Sequence, residues 1–227
     1  MTSQASGRVF LINKPYRWTS FDVVKKLRNS LGIKKVGHAG TLDPLATGLL
    51  ILCSGKETKN IEKYQALEKE YTTTFVLGKT TESFDLEREI IDVADPSAVT
   101  REEVEDACRR LSGEILQVPP AHSAIKKDGK RVYESARKGI DVSLPARPVT
   151  VSLFEVTKFD LPEIHCRIVC SKGTYIRSLA RDLGLHLKVG AYVSALTRTR
   201  IGHFKLENAM DLPDLIETLK AERNADL

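Results

Sequence analysis

The sequence of 227 residues lacks any long hydrophobic run, any internal repeat and any low-complexity tract. No segment near its start has the length and apolar character of a signal peptide or a membrane-spanning helix. We therefore expect a cytoplasmic protein with no membrane partner. Hydrophobic residues make up 41% of the chain, which excludes an intrinsically disordered protein and predicts a globular one with a substantial core.

Cysteine is scarce as well, with four residues in the whole chain. All of them have hydrophobic neighbours, which favours reduced core residues over a disulfide framework. They are Cys53, Cys108, Cys166 and Cys170. His165 precedes Cys166, but the segment EIHCRIVCS alternates as a strand does, and no second pair of ligands occurs elsewhere. The sequence therefore predicts no metal site.

The net charge of +5 is small, but charge is distributed unevenly. Residues 82–106 contain ten acidic residues and two arginines, a net charge of −8. Residues 122–147 contain seven basic and three acidic residues, a net charge of +4, and residues 172–205 contain seven basic and one acidic, a net charge of +6. Two basic segments with a compensating acidic one indicate a polarised surface, and the usual large polyanionic partner is nucleic acid.

Helix signals with a recognisable apolar face occur in three places. Ser20 is the predicted N-cap of a helix that ends at Gly32 and buries Phe21, Val24, Leu27 and Leu31. Thr100-Arg101-Glu102-Glu103 is a capping box, followed by a helix that buries Val104, Ala107, Cys108 and Leu111. A third helix is predicted at about 174–187, with Ile176, Leu179, Ala180 and Leu183 on its buried face.

Strand signals lie between these helices, at 8–13, 49–53 and 71–78. VTVSLFEVTKF and EIHCRIVCS flank the short connection 160–162, which favours an antiparallel hairpin. We predict an α+β fold, a mixed and largely antiparallel central sheet with flanking helices, in one domain over 1–227. Residues 118–149 read as a surface insertion, and 207–227 as a tail with one helix at about 211–221.

One loop stands out, Gly37–Gly48 with the sequence GHAGTLDPLATG, hereafter the Asp43 loop. It holds a single carboxylate among three glycines, and Pro44 biases Asp43 towards extended backbone. A phosphate-binding loop does not fit, because six residues separate Gly48 from Gly55 and Glu57 replaces the required Ser or Thr. A glycosidase would need a second carboxylate in a comparable setting. A simple Asp-Pro turn remains the alternative to a catalytic acid.

The Asp43 loop, followed by a strand and GKETK, resembles the active-site motif of the TruB family of tRNA pseudouridine synthases. The resemblance continues through KEYTTTFVLG, QVPPAHSAIKKDGKRVYESARKGI, SKGTYIRSLARDLG and ALTRTRIGHF, over roughly residues 8–206. It implies a pseudouridine synthase fold and a cofactor-free, metal-free isomerisation of uridine 55 in the T-arm of tRNA. In that reaction one aspartate suffices as nucleophile, because leaving group and electrophile belong to the same nucleotide.

The resemblance also implies roles for individual residues. Asp43 matches the nucleophile, and Tyr71 matches the tyrosine that stacks on the target uracil. Arg177 matches the arginine paired with the catalytic carboxylate, although a helical arginine is more often a surface residue. Tyr175 and Leu196 match residues that line the uracil pocket; by pattern alone both would be assigned to the core.

The remaining implied contacts are with the RNA. His38 matches the histidine that reaches into the T-loop beside the flipped nucleotide. The insertion 118–149 matches the segment that clamps RNA, and its basic residues would neutralise phosphates. These are Lys126, Lys127, Lys130 and Arg131. Lys14 matches a further family motif and is interpreted as structural support.

Two features depart from the family pattern. The usual TDT-x-D run is Thr81-Glu82-Ser83-Phe84-Asp85, which puts a local role of Glu82 in doubt. About 20 residues follow Phe204, too few for the RNA-binding PUA domain of many members, so we expect none. We expect a monomer that acts on tRNA without an obligate protein partner. Two alternatives remain: an RNA-binding or tRNA-folding protein whose catalysis is secondary, and a synthase of the same fold that acts on another RNA.

Overall fold

The computed structural model describes residues 7–120, 126–127, 130–131 and 144–225; side chains are not described at 126–127, 130–131 and 223. None of the helices in this part of the chain has the length and apolar character needed to cross a membrane. The four cysteines lie within it, all buried and all free thiols.

The chain divides into two compact units. The first is formed by Met1–Tyr71 with Leu196–Leu227, and the second by Thr72–Ala195. Two strands, β4 (Lys69–Leu77) and β12 (Ala191–Ile201), have residues in both.

The first unit is a sheet with helices. In chain order its further elements are β1 (Val9–Lys14), α1 (Ser20–Leu31), β2 (Val36–His38), β3 (Thr47–Ser54), α2 (Ile61–Ala66), β13 (Phe204–Lys205), β14 (Met210–Asp211) and α5 (Leu212–Ala225). The strand order is β14-β1-β3-β12, with β2 also on β3 and β13 on β12. β3 is antiparallel to β1 and β2 and parallel to β12, and β1 is parallel to β14.

Strand β3 is the centre of the first unit because it is buried on both faces. Leu50 and Leu52 pack into a core formed with β1, α1 and α5. The alternate residues Leu49, Ile51 and Cys53 pack into a second cluster on the opposite face. A strand covered on both sides has no polar face, which explains the continuous apolar run LLILC where an exposed strand would alternate.

The N-cap of helix α1 lies one residue earlier than predicted. Thr19 is the N-cap, and it forms a capping box with Asp22. The prediction of Ser20 as N-cap is therefore wrong, as is the burial of Phe21, which is 60% exposed. Gly32 ends the helix with φ +65°, as predicted, in a left-handed conformation that glycine adopts without strain.

The described residues of the second unit form strands and two helices. Its further elements are β5 (Lys79–Thr80), β6 (Ile91–Asp92), α3 (Arg101–Arg110), β7 (Gly113–Gln117), β8 (Lys126–Lys127), β9 (Lys130–Arg131), β10 (Arg147–Asp160), β11 (Glu163–Cys170) and α4 (Ile176–His186). The main strands follow the order β4-β11-β10-β7. The predicted β10–β11 hairpin is confirmed, and so are the capping box at Thr100 and the buried face of α4. Among the described strand pairs the antiparallel ones outnumber the parallel ones, which confirms the predicted, largely antiparallel α+β fold.

Only part of the predicted insertion 118–149 can be compared with the structure. The described residues there include β8 and β9, which pair antiparallel, Lys126 with Arg131 and Lys127 with Lys130. Residues 121–125, 128–129 and 132–143 lie outside the described residues. The side chains of the four basic residues assigned to RNA contact lie outside them as well.

Candidate active site

The Asp43 loop connects β2 to β3 within the first unit. Its start is held by the backbone of β3, since the Ala39 N–H donates to the Ile51 carbonyl at 2.9 Å. A turn follows Asp43 directly, where the Ala46 N–H donates to the Asp43 carbonyl at 3.1 Å. Asp43 is partly exposed and Leu42 beside it is buried. The loop therefore presents its one carboxylate at the edge of a packed sheet.

Ser20 ties helix α1 to the residue before Asp43. Its hydroxyl accepts a hydrogen bond from the Leu42 N–H at 2.9 Å and lies 3.3 Å from the Leu42 carbonyl, to which it donates. The side chain is 2% exposed. Ser20 therefore anchors the loop and does not cap the helix.

Lys14 is fully buried beneath the same loop. Its ammonium donates to the carbonyls of Trp18 at 2.6 Å, Pro15 at 2.8 Å and Pro44 at 3.3 Å. Burial lowers the pKa of Lys14 from 10.5 to about 8, against the attraction of Asp43 and assisted by the repulsion of Arg198. Lys14 therefore keeps its proton at neutral pH, and one of its three hydrogen bonds holds Pro44, the residue that follows Asp43.

The lowered pKa of Lys14 predicts a pH-dependent stability. Below about pH 8 both the folded and the unfolded chain hold this proton; between about 8 and 10.5 the unfolded chain holds more. Wild-type stability, measured relative to Lys14→Met, should therefore rise with pH in that window by up to about 1.4 kcal/mol per pH unit. Urea unfolding from pH 7 to 10 measures this, with the exposed Lys26→Met as control. If the difference in the free energy of unfolding between the wild type and Lys14→Met does not change with pH, the prediction is wrong.

His38 lies at the entry of the loop, half-buried. Burial lowers its pKa, opposed by a backbone hydrogen bond at Gly40 and reinforced by the charge of Arg198. Its Nδ1 atom is buried and has no hydrogen-bond partner among the described residues. The lowered pKa favours a neutral imidazole at pH 7, with one ring nitrogen left as a polar group for a further contact.

Tyr71 and Leu196 also belong to the first unit. Tyr71 lies on β4 and is buried, at 8% exposed, whereas Leu196 lies on β12 and is half-buried. The two residues thus come from strands that are remote in sequence.

In the second unit, Arg177 is buried in the first turn of α4. Its Nε atom lies 3.5 Å from Oδ2 of Asp85, and its Nη1 donates to the Ser83 carbonyl at 3.1 Å. The side chains of Arg177 and Asp85 are 5% and 7% exposed. Asp85 also accepts hydrogen bonds from the Ser83 hydroxyl at 2.5 Å and from the Glu87 N–H at 3.0 Å.

Asp85 is a functional candidate that sequence reasoning missed. Glu82, the acid singled out in the sequence, has a side chain that is 63% exposed and lies 3.7 Å from Arg88. The available signal was the spacing of Ser83 and Asp85, a polar pair able to form a local turn around a buried carboxylate. A buried arginine needs such a partner, and only the fold identifies which acid supplies it.

Tyr175 precedes α4 and is held from two sides. The side-chain amide of Gln117, which is 1% exposed, accepts from the Tyr175 N–H at 2.8 Å and donates to its carbonyl at 3.1 Å. The Arg147 guanidinium lies 5.0 Å from the centre of the Tyr175 ring, a cation–π contact. These contacts fix the backbone from which Arg177 projects two residues later.

The sequence-predicted residues are divided between the units. The first contains His38, Asp43, Tyr71 and Leu196, and its Asp43 loop brings the first two into one segment. The second contains Tyr175 and Arg177, which lie together at the start of α4. In the described part of the chain, no group of three or more His, Cys, Asp or Glu residues could hold a metal ion.

Comparison with known proteins agrees with the resemblance found in the sequence motifs. Residues 28–176 match the sequence model described as "TruB family pseudouridylate synthase (N terminal domain)", and residues 177–226 match "tRNA pseudouridylate synthase B C-terminal domain". A protein of Phocaeicola vulgatus named tRNA pseudouridine synthase B is 52% identical, over 94% of this chain and 93% of its own. A protein of the same name from Flavobacterium johnsoniae is 48% identical, over 94% and 96%.

Solved structures agree with these matches. A chain of a Cbf5-Nop10-Gar1 complex is similar with a TM-score of 0.76 and 29% identity, and one of an H/ACA RNP bound to a substrate RNA with 0.71 and 27%. The matches cover 99% and 96% of this chain and 57% and 55% of those chains. The fold and the matches define an enzyme of the pseudouridine synthase class. Within that class, the chain belongs to the TruB family.

Proposed function

We propose that this enzyme converts uridine 55 in the T-arm of tRNA to pseudouridine, with Asp43 as the nucleophile. The observation that carries the proposal is the Asp43 loop, whose single partly exposed carboxylate is flanked by buried anchors. Lys14 holds the residue after Asp43 and Ser20 the residue before it. Relatives of about half-identical sequence, covering nearly the whole chain, are named tRNA pseudouridine synthase B, which supports tRNA as the substrate.

The proposed reaction is an isomerisation that needs no co-reactant. The bond between N1 of uracil and C1′ of ribose breaks, the base rotates, and a bond forms between C5 and C1′. The proton leaves C5 and one is taken up at N1, so atoms and charge balance within the nucleotide and its solvent. Asp43 forms one bond to the nucleotide and later releases it, which divides one difficult step into two easier ones.

The other residues assist in proposed roles that the family motif assigns. Tyr71 stacks on the flipped uracil, while Tyr175 and Leu196 line its pocket. Arg177 favours the ionised nucleophile, and its burial together with Asp85 supports a fixed guanidinium. His38 contacts the RNA next to the flipped nucleotide; its side chain is only half-buried at the start of the Asp43 loop, so part of it is accessible to such a contact.

Affinity for the polyanionic substrate is proposed to come from the basic residues of the insertion 118–149. Lys126, Lys127, Lys130 and Arg131 lie within residues 122–147, whose net charge is +4, and would contact phosphates. Flipping the uridine costs a few kcal/mol of unstacking, which such contacts and the uracil pocket must offset. We propose a monomer that acts on tRNA by itself, without a cofactor.

The proposal is tested with an unmodified tRNA and a T-arm minihelix labelled with tritium at C5 of uridine. Pseudouridine formation releases this tritium, whereas mass alone cannot detect an isomerisation. We expect release from both RNAs, limited to one uridine per molecule, and its loss when uridine 55 is replaced by cytidine. Chromatography of the digested nucleosides then confirms pseudouridine as the product.

Three results would contradict this assignment. Tritium release that persists in the RNA with cytidine at position 55 would place the reaction elsewhere in tRNA. Release only from ribosomal or messenger RNA hairpins would favour a synthase for another RNA. Binding of tRNA without release from any RNA would favour the RNA-binding alternative.

A further inference from the structure

Arg198 is a buried cation of the first unit that lies within the motif ALTRTRIGHF, in which no role was assigned to it. It lies on β12 and is 1% exposed. Its Nε donates to the Leu49 carbonyl at 2.7 Å, its Nη1 to the Thr41 carbonyl at 3.3 Å, and its Nη2 to the Gly40 carbonyl at 3.4 Å. One guanidinium therefore binds the chain before Asp43 and after it.

The backbone of Arg198 holds the same loop. In the parallel β3–β12 pairing, Arg198 lies opposite Gly48, and Thr197 lies opposite Thr47. A Cβ atom at Gly48 would lie 2.4 Å from the Arg198 carbonyl oxygen, so the close approach requires glycine. Gly48 also has φ +101°, where other residues are strained. The end of the Asp43 loop is thus closed directly against Arg198.

Burying the Arg198 guanidinium costs free energy, and side-chain packing alone does not explain why an arginine lies at this position. A guanidinium loses several kcal/mol of hydration on burial, and a hydrophobic side chain of similar size often serves stability as well or better. The planar fork of arginine, by contrast, spreads its donors over carbonyls on both sides of Asp43, which the single ammonium of a lysine does not reproduce and methionine, without a donor, cannot. Its positive charge extends across the loop, since it lowers the pKa of both Lys14 and His38.

We propose that Arg198 is a positioning residue, which fixes the two arms of the Asp43 loop so that the Asp43 carboxylate stands ready for attack. The inference rests on the proposed function in so far as Asp43 is the nucleophile. Arg198 does not touch the substrate; it acts through the carbonyls of Gly40, Thr41 and Leu49. Misplacement of a reacting group by about 1 Å costs about 10²-fold in rate, which sets the size of the expected effect.

The test compares Arg198→Lys with Arg200→Lys, a matched control on the same strand. Arg200 is 26% exposed in its side chain and pairs with Glu68 and Glu70, away from the carbonyls that Arg198 binds. For Arg198→Lys we expect kcat on the T-arm minihelix to fall about 10²-fold, while KM stays within about threefold. Arg200→Lys should leave kcat within about threefold.

A second readout does not depend on the substrate. Hydrogen–deuterium exchange of a peptide that spans residues 39–48 should become faster in Arg198→Lys and stay unchanged in Arg200→Lys. Thermal unfolding shows that both variants are folded, and if Arg198→Lys does not fold, Arg198→Gln is measured in its place. If the wild type is inactive on T-arm RNA, the proposed function fails, but the exchange experiment still decides whether Arg198 holds the loop.

Two outcomes would overturn the inference. Unchanged exchange of residues 39–48 in a folded Arg198 variant would show that the guanidinium does not hold the loop. A kcat of Arg198→Lys within about threefold of the wild type, or a loss of activity that merely follows the fraction of unfolded enzyme, would show that Arg198 does not position Asp43 for the reaction.

Discussion

Replacement of Asp43 by asparagine is expected to lower kcat for pseudouridine formation by at least about 10⁴-fold, the order of effect when a nucleophile is removed. Asparagine has nearly the same size and keeps the hydrogen-bonding backbone, so the loop contacts at Leu42 and Pro44 should survive. The amide is a far weaker nucleophile than the carboxylate. Tritium release in single-turnover conditions measures the loss.

The fold and the RNA affinity should not change with this variant. Thermal unfolding and minihelix binding of Asp43→Asn are compared with the wild type and with Asp92→Asn, whose carboxylate is 85% exposed in a surface pair with Lys79. Asp92→Asn should keep full activity. Asp43→Glu tests position, since one added methylene displaces the carboxylate and should cost about 10²-fold. Activity of Asp43→Asn within tenfold of the wild type would refute Asp43 as nucleophile.

Replacement of Asp85 by alanine is expected to destabilise the second unit by about 3–5 kcal/mol, because it removes the carboxylate from a buried pair. Arg177 would lose its partner at 3.5 Å, and the Ser83 hydroxyl would lose its acceptor. The free energy of unfolding in urea measures the effect. Pseudouridine formation should also fall, since the Arg177 side chain is no longer fixed.

The control for this variant is an exposed pair in the same unit. Glu105 and Arg101 lie at 2.7 Å, i and i+4 on α3, with side chains 39% and 50% exposed. Glu105→Gln should cost no more than about 0.5 kcal/mol, as solvent-screened helix pairs do. Equal effects of Asp85→Ala and Glu105→Gln would show that burial does not strengthen the Asp85–Arg177 pair.

Local signals predicted the secondary structure where neighbours in sequence decide it. The capping box at Thr100, the glycine that ends α1 and the hairpin of β10 and β11 all formed as expected. The error at Ser20 and Phe21 has a tertiary cause. Ser20 is buried, where its hydroxyl binds the Leu42 backbone. Val23 is buried in the helix as well, whereas Phe21, which was predicted to be buried, is exposed.

The candidate site was predictable only in part. The glycines and proline of the Asp43 loop singled out its acid, because those residue types restrict the backbone locally. Lys14, Asp85, Arg177 and Arg198 are charged and buried, and hydropathy places charged residues at the surface. The Pro44 carbonyl bound by Lys14, the carbonyls bound by Arg198 and the Asp85 carboxylate beside Arg177 are all remote in sequence from these cations, so local sequence does not predict the contacts.

The sequence by itself determined the strands and helices, the loop with a single carboxylate and, through its ordered motifs, membership of the TruB family. Tertiary structure alone decided which cations support that carboxylate and which acid accompanies Arg177. The physical reason is that a buried charge is tolerated only where acceptors from distant segments meet it. Whether such acceptors converge on a buried charge depends on the folded backbone, whereas caps, turns and apolar periodicity depend on a few consecutive residues.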